Sequence, residues 1–169
     1  MGNIWKGISD EAMYESEKAL WVEGGIDLSW VTVKNVHLGG DDPENYIRQF
    51  DILPETEGLP LLIVLHGFGG GGPVCGRMAL KLRAHFRIIA IDMLGLAGSG
   101  RPDYQAFDYE KAKLWHLYSI NTWVKKAAIK EPFHITGHSF GGFIACLYAL
   151  QYSEQILSVI LLSAVGVTS

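Results

Sequence analysis

The spacing of apolar side chains along the chain switches repeatedly between two periods. From Leu28 to Val36, Trp30, Thr32 and Lys34 alternate with Val31 and Val33, and Tyr46 to Leu53 forms a second such run after the turn Gly39-Gly40-Asp41-Asp42-Pro43; both predict half-buried strands. Pro60 to Leu65 behaves differently. Its Leu61-Leu62-Ile63-Val64-Leu65 is apolar at every position, which predicts a strand buried on both faces, and Arg87 to Asp92 and Ile156 to Leu162 share that character. Pro132-Phe133-His134-Ile135-Thr136 is a short apolar-ended run that predicts one more strand. Helical spacing fills the intervals. Ser9 to Trp21 opens with Ser9-Asp10-Glu11 and presents Met13, Ala19, Leu20 and Trp21 for packing, with Glu15, Glu17 and Lys18 outward. Further helices are predicted over Val74 to Ala84, over Tyr109 to Lys130 with an inward stripe of Trp115, Ile120, Trp123, Val124 and Ala127, and around Phe143, Ile144, Leu147, Tyr148 and Leu150. Strands alternating with helices predict an α/β fold with a mostly parallel sheet.

Composition narrows the function classes. The 169 residues are 49% hydrophobic and 19% charged, which fits one globular domain with a sizeable core. A formal charge of −4, with no cluster of Lys and Arg among aromatic residues, speaks against nucleic acid. Cys75 and Cys146 are too few for a disulfide scaffold and predict reduced thiols in an intracellular, cytoplasmic protein. No Cys/His spacing suggests a metal, and no cofactor is expected. The N-terminus, Met1-Gly2-Asn3-Ile4-Trp5-Lys6, carries neither an apolar leader nor a myristoylation pattern. Trp5 and Trp21 could touch a lipid surface, but core packing is the expected use of their rings.

The candidate chemistry lies in loops that leave the carboxyl ends of the apolar strands, where open α/β sheets place their ligands. Gly137-His138-Ser139-Phe140-Gly141-Gly142 stands between a strand and a helix. A Gly-x-Ser-x-Gly turn there lifts the Ser139 hydroxyl above the sheet edge, ready to attack a carbonyl; the bland alternative is a serine that caps the helix. The loop His66-Gly67-Phe68-Gly69-Gly70-Gly71-Gly72 also has two readings. It satisfies Gly-x-Gly-x-x-Gly, and Asp92 follows at the end of the next strand, so a dinucleotide site is one of them. The other explains more. The backbone N–H of Phe68, with that of Phe140, would form an oxyanion hole for acyl chemistry.

These three segments, His66-Gly67-Phe68-Gly69-Gly70, the stretch from Asp92 through Leu94-Gly95-Leu96-Ala97-Gly98-Ser99-Gly100-Arg101-Pro102-Asp103, and the Ser139 turn, resemble the α/β-hydrolase fold in order and spacing. The second stretch more narrowly resembles the branch that holds the lipid-droplet lipase coactivator and the N-acyl-phospholipid lipase. The resemblance implies a serine hydrolase or acyltransferase acting on lipid or carboxylic esters, of the lysophospholipid or N-acyl phospholipid class, at a lipid droplet or membrane surface. It implies Ser139 as nucleophile, Phe68 and Phe140 as oxyanion donors, and His66, Gly67, Asp92 and His138 as residues that shape the loops. Residues 1–26 would then be an N-terminal helix and lead-in, and 27–169 the N-terminal part of one hydrolase domain, without the cap and the C-terminal strands.

A serine nucleophile needs a histidine and a carboxylate, which in this fold follow it in the chain. After Ser139 the sequence offers only Glu154 and no histidine. His85 and His134 are expected at the opposite end of the sheet, and His116 within a helix. The catalytic acid and base are therefore not expected in this chain. The apolar Ile156–Leu162 strand would lie at an open edge, which fits a piece of a longer product, a partner chain that completes the sheet, or a structural subunit of a larger assembly. The last of these would be a non-catalytic scaffold.

Overall fold

A computed structural model describes residues 9–104 and 108–166. The predicted first helix is α1 (Asp10–Glu23), capped by Ser9, whose hydroxyl accepts the Ala12 N–H, with Asp10 and Glu11 complementing the dipole in the first turn. Trp21 is buried against Phe50, with ring centroids 5.7 Å apart, so that ring serves the core; Trp5 lies outside the described residues. Glu17 does not point outward as its spacing predicts. Its carboxylate receives Nε and Nη2 of Arg48 at 2.9 and 2.7 Å, and both side chains are largely withdrawn from water. Ala19 and Leu20, predicted to pack, are exposed.

Strands β1 (Val31–His37) and β2 (Tyr46–Ile52) pair antiparallel. Here β1 begins three residues later than predicted, because Asp27 caps a single 3₁₀ turn over Leu28–Trp30. The remaining strands are β3 (Leu61–Leu65), β4 (Arg87–Ile91), β5 (Phe133–His138) and β6 (Ile156–Leu162). The sheet order is β1-β2-β4-β3-β5-β6, with β4, β3, β5 and β6 parallel and β2 running against them.

The apolar strands β3 and β4 serve two cores, as their pattern requires. Leu61, Ile63 and Leu65 face one side with Ile89, Ile91 and Ile135, under helices α3 (Tyr109–Lys126) and α4 (Phe140–Gln151). Leu62 and Val64 face the other with Ile88, Ala90, Phe50 and Trp21, under α1 and α2 (Gly76–Leu82). The predicted Val74–Ala84 helix is in fact a 3₁₀ turn over Gly72–Cys75 followed by the short α2. Helix α3 stops before Lys130, and just beyond its end Ala128 has a left-handed φ of 56°. In α4, Ile144, Ala145 and Tyr148 are buried, but Leu150 is 76% exposed, against expectation. Strand β6 stands at an edge with Leu157, Ile160, Leu161 and Leu162 exposed. No helix of the described residues is long and apolar enough to cross a membrane.

Candidate active site

Strands β3 and β5 are neighbours, with Leu65 opposite Gly137, so the loops that leave them emerge side by side. Ser139 occupies the turn between β5 and α4 at φ 52° and ψ −115°, a conformation that L-residues rarely adopt and that costs on the order of 1–3 kcal/mol. Two glycines make this sharp turn feasible. A β-carbon on Gly137 would collide with the Gly141 carbonyl, and one on Gly141 with the carbonyls of Leu65 and His66. The Ser139 side chain makes no capping bond to α4, which removes the simple capping alternative. Its backbone is held instead. The Ser139 N–H donates to the Leu162 carbonyl at 3.0 Å, and its own carbonyl accepts the N–H groups of Phe143 and Val165 at 3.1 and 3.2 Å.

The loop after β3 lies against this turn. A β-carbon on Gly67 would come within 2.8 Å of His138 Nδ1 and 3.4 Å of Ser139 Cβ, so glycine is what lets the two loops meet. His66 fixes the loop. Its Nε2 accepts the Met93 N–H at 3.0 Å, which leaves the proton on Nδ1 to donate to the Gly67 carbonyl at 2.7 Å. Burial lowers its pKa and keeps the ring neutral, as this acceptor role requires. Phe68 projects outward, with its side chain 81% exposed, next to a turn closed by the Gly70 N–H on the Gly67 carbonyl at 3.0 Å. Phe140 is the first residue of α4, where the helix has no acceptor for its N–H.

Asp92 joins the loop after β3 to the loop after β4. It is 1% exposed, and its two oxygens accept the N–H groups of Gly72 at 2.6 Å and Gly98 at 2.8 Å. Burial raises its pKa to about 6. Both oxygens thus hold backbone amides within the protein, and a carboxylate buried this way is not presented to a ribose hydroxyl as the dinucleotide reading needs. The same region is tied to β2, because Ser99 Oγ donates to the Asp92 carbonyl and accepts the Arg48 N–H at 2.9 Å.

None of the described histidines hydrogen-bonds Ser139. His134 Nδ1 meets Ser158 Oγ at 2.7 Å near the amino end of β5, His85 follows α2, and His138 is exposed beside Gly67. His116 is the residue whose position the sequence reading undervalued. Its ring meets that of Phe140 edge-on at 5.3 Å, and its Nδ1 is buried with no partner. Burial first, and the nearby His66 second, push its pKa down to about 4. The signal was present in the spacing, since His116 falls on the same helical face as Ile120, Trp123 and Ala127.

Comparison with known proteins identifies the fold. A family model described as the alpha/beta hydrolase fold matches residues 60–169. A probable 1-acylglycerol-3-phosphate O-acyltransferase of Oryza sativa subsp. japonica is 31% identical, over 98% of this chain and 42% of the rice protein. A (lyso)-N-acylphosphatidylethanolamine lipase of Mus musculus is 32% identical, over 73% of this chain and 35% of the mouse protein. Among solved structures, a putative lipase from Acinetobacter baumannii AYE superposes with a TM-score of 0.67 at 26% identity, covering 99% of this chain and 50% of that one. The chain thus spans less than half the length of these curated relatives and about half that of the solved lipase.

Proposed function

The chain belongs to the alpha/beta hydrolase fold family, and on that premise we propose that it supplies the attacking half of a serine hydrolase or acyltransferase site for lipid esters. Ser139 Oγ attacks the ester carbonyl, and the N–H groups of Phe68 and Phe140 receive the negative charge that develops on the carbonyl oxygen. Loss of one such donor typically costs roughly 2.7–4 kcal/mol of transition-state stabilisation. The observation that carries this reading is Ser139 itself, held at φ 52° with no capping bond while the loop bearing Phe68 packs against it. Strain of this kind persists when the surroundings impose it. Lipid esters are favoured because relatives named as a probable 1-acylglycerol-3-phosphate O-acyltransferase and a (lyso)-N-acylphosphatidylethanolamine lipase match most of this chain. No residue is assigned as proton acceptor or as its orienting carboxylate.

A fluorophosphonate probe tests the reading on the complete protein. It should label Ser139 and leave Ser139→Ala unlabelled; absence of labelling in a folded preparation would overturn it. One observation favours a second reading, a non-catalytic scaffold: no described histidine bonds Ser139. A scaffold would keep its binding partners in the Ser139→Ala variant and react with no probe.

A further inference from the structure

Three charged side chains meet where α1, β2 and the loop after β4 come together. Arg48 and Asp92 are buried, and the Glu17 side chain is only 13% exposed. The position that a β-carbon on Gly98 would take lies 3.1 Å from Glu17 Oε1, 3.1 Å from Asp92 Oδ2 and 2.5 Å from Arg48 Cδ, so the two carboxylate oxygens stand no farther apart than twice 3.1 Å. Two carboxylates thus share the neighbourhood of one guanidinium.

Arg48 divides its donors unequally between them. Nε and Nη2 make a two-point bond to Glu17, Nη1 donates to Asn35 Oδ1 of β1 at 3.3 Å, and the Tyr14 ring lies 4.7 Å from the guanidinium carbon. Asp92 keeps only the N–H groups of Gly72 and Gly98, with Arg48 and Arg101 acting on it as charges in its surroundings. Arg101 itself donates to the carbonyls of Ala97 and Ser99. The other titratable groups on this side are neutral: burial pushes the Cys75 thiol up to about 12, and His66, whose Nε2 accepts the Met93 N–H, is an uncharged ring. Burial raises both carboxylic acids, and the charge of Asp92 adds to the rise at Glu17. At Asp92 burial favours the proton and the two amides favour the charge, which brings the exchange into balance at about pH 6.

We propose that Glu17 is a positioning residue for the loop after β3: set beside Asp92 and holding the Arg48 donors for itself, it makes the Asp92 carboxylate take up a proton and release one of its two glycine amides, which loosens the loop that bears Phe68. The proposal rests on the serine-hydrolase reading above only for the consequence at Ser139. The proton and the amides compete for the same two oxygens. An ionised carboxylate accepts at both, whereas a protonated one turns one oxygen into an O–H donor, so either the Gly72 or the Gly98 N–H loses its charge-assisted bond. Gly72 closes the glycine run that follows Phe68, and a run without side chains has none of its own to pin it once that tie is cut. Helix α1 therefore acts on the loop through Asp92, by way of charge.

Backbone amide NMR shifts of Gly72, Gly98 and Phe68, followed against pH in the complete protein, test this directly. In the wild type all three should move together with one midpoint near pH 6. Glu17→Gln removes the repelling charge and frees Arg48 for Asp92, so the midpoint should fall by roughly one pH unit, and Asp92→Asn should abolish it. Wild-type amides that do not titrate between about pH 5 and 7 would overturn the proposal, and that arm stands even if a variant fails to fold. A midpoint that Glu17→Gln leaves in place would overturn it too. Fluorophosphonate labelling of Ser139 reads the consequence: the pH at which labelling slows should follow the amide midpoint downward in Glu17→Gln, and identical pH profiles in the two proteins would overturn the positioning role. Should the wild type label at no pH, the hydrolase reading fails separately and the Phe68 amide decides. A Phe68 shift that follows the Gly72 midpoint sustains the proposal, and a Phe68 amide that does not respond overturns it.

Discussion

Replacing His66 by Phe keeps the ring volume and removes both hydrogen bonds that the imidazole makes. The Met93 N–H would then lose its partner at a site where His66 is only 5% exposed, while the Gly67 carbonyl loses the imidazole but keeps the Gly70 N–H. A buried donor left unpaired costs about 1–3 kcal/mol and the lost bond to the Gly67 carbonyl about 0.5–1.5 kcal/mol, so the variant should lose about 1.5–4.5 kcal/mol. Against a typical domain stability of about 5–15 kcal/mol, that is a large share. Equilibrium urea unfolding at pH 7.5 measures it, and a loss below about 1 kcal/mol would refute the bracing role. The pH dependence gives a second arm. Burial lowers the folded-state pKa of His66, so the stability owed to its neutral ring is fully present above the unfolded value near 6.5. That contribution is lost as the pH falls below 6.5 toward the folded value, and the Phe variant should not show it. Because the braced loop carries the proposed Phe68 donor, fluorophosphonate labelling should also slow in any fraction that stays folded.

Glu17→Ala would leave the Arg48 guanidinium buried without its carboxylate and should cost about 3–5 kcal/mol, whereas replacing both residues by Met should restore most of that in urea unfolding. A cost below about 1 kcal/mol for the single change would contradict the pairing. Gly141→Ala drives a β-carbon into the Leu65 and His66 carbonyls, which cannot move without breaking the sheet, and should cost about 3 kcal/mol or more by the same measurement. His116→Phe removes a ring held neutral down to about pH 4, so the wild type should lose stability relative to the variant by up to about 1.4 kcal/mol per pH unit between 6.5 and 4. An acid-unfolding midpoint that does not move would argue against the burial of that ring.

The central strands were legible because a sheet covered on both faces leaves uninterrupted apolar runs, and Leu61–Leu65 and Arg87–Ile91 coincide with such runs, whereas Ile156–Leu162 has the same composition but is exposed at the sheet edge. The Ser139 turn was legible because close backbone approach demands glycine at 137 and 141, and that demand is written in residue type. What periodicity missed depends on partners distant in the chain. Glu17 is drawn inward by Arg48, which lies on another element, and a carboxylate on a helix gives no local sign of such a partner. Leu150 has the composition of a core residue, but exposure depends on which side of α4 meets the sheet. The insertion of β4 between β2 and β3 leaves no mark in local spacing. His116 carried a positional signal, yet its meaning came only from Phe140 across the interface of α3 with the turn.

The pairing of β3 with β5, with Leu65 opposite Gly137, has a further consequence for how this surface can change. The two loops that carry the proposed donors leave neighbouring strands, whose spacing of roughly 4.8 Å is a property of peptide geometry. The base from which both loops start is therefore separate from the side chains that line the surface beside them. Substitutions at Leu94, Tyr104 or Trp115 would reshape the cavity of about 340 Å³ that these residues line and leave the paired strands in register.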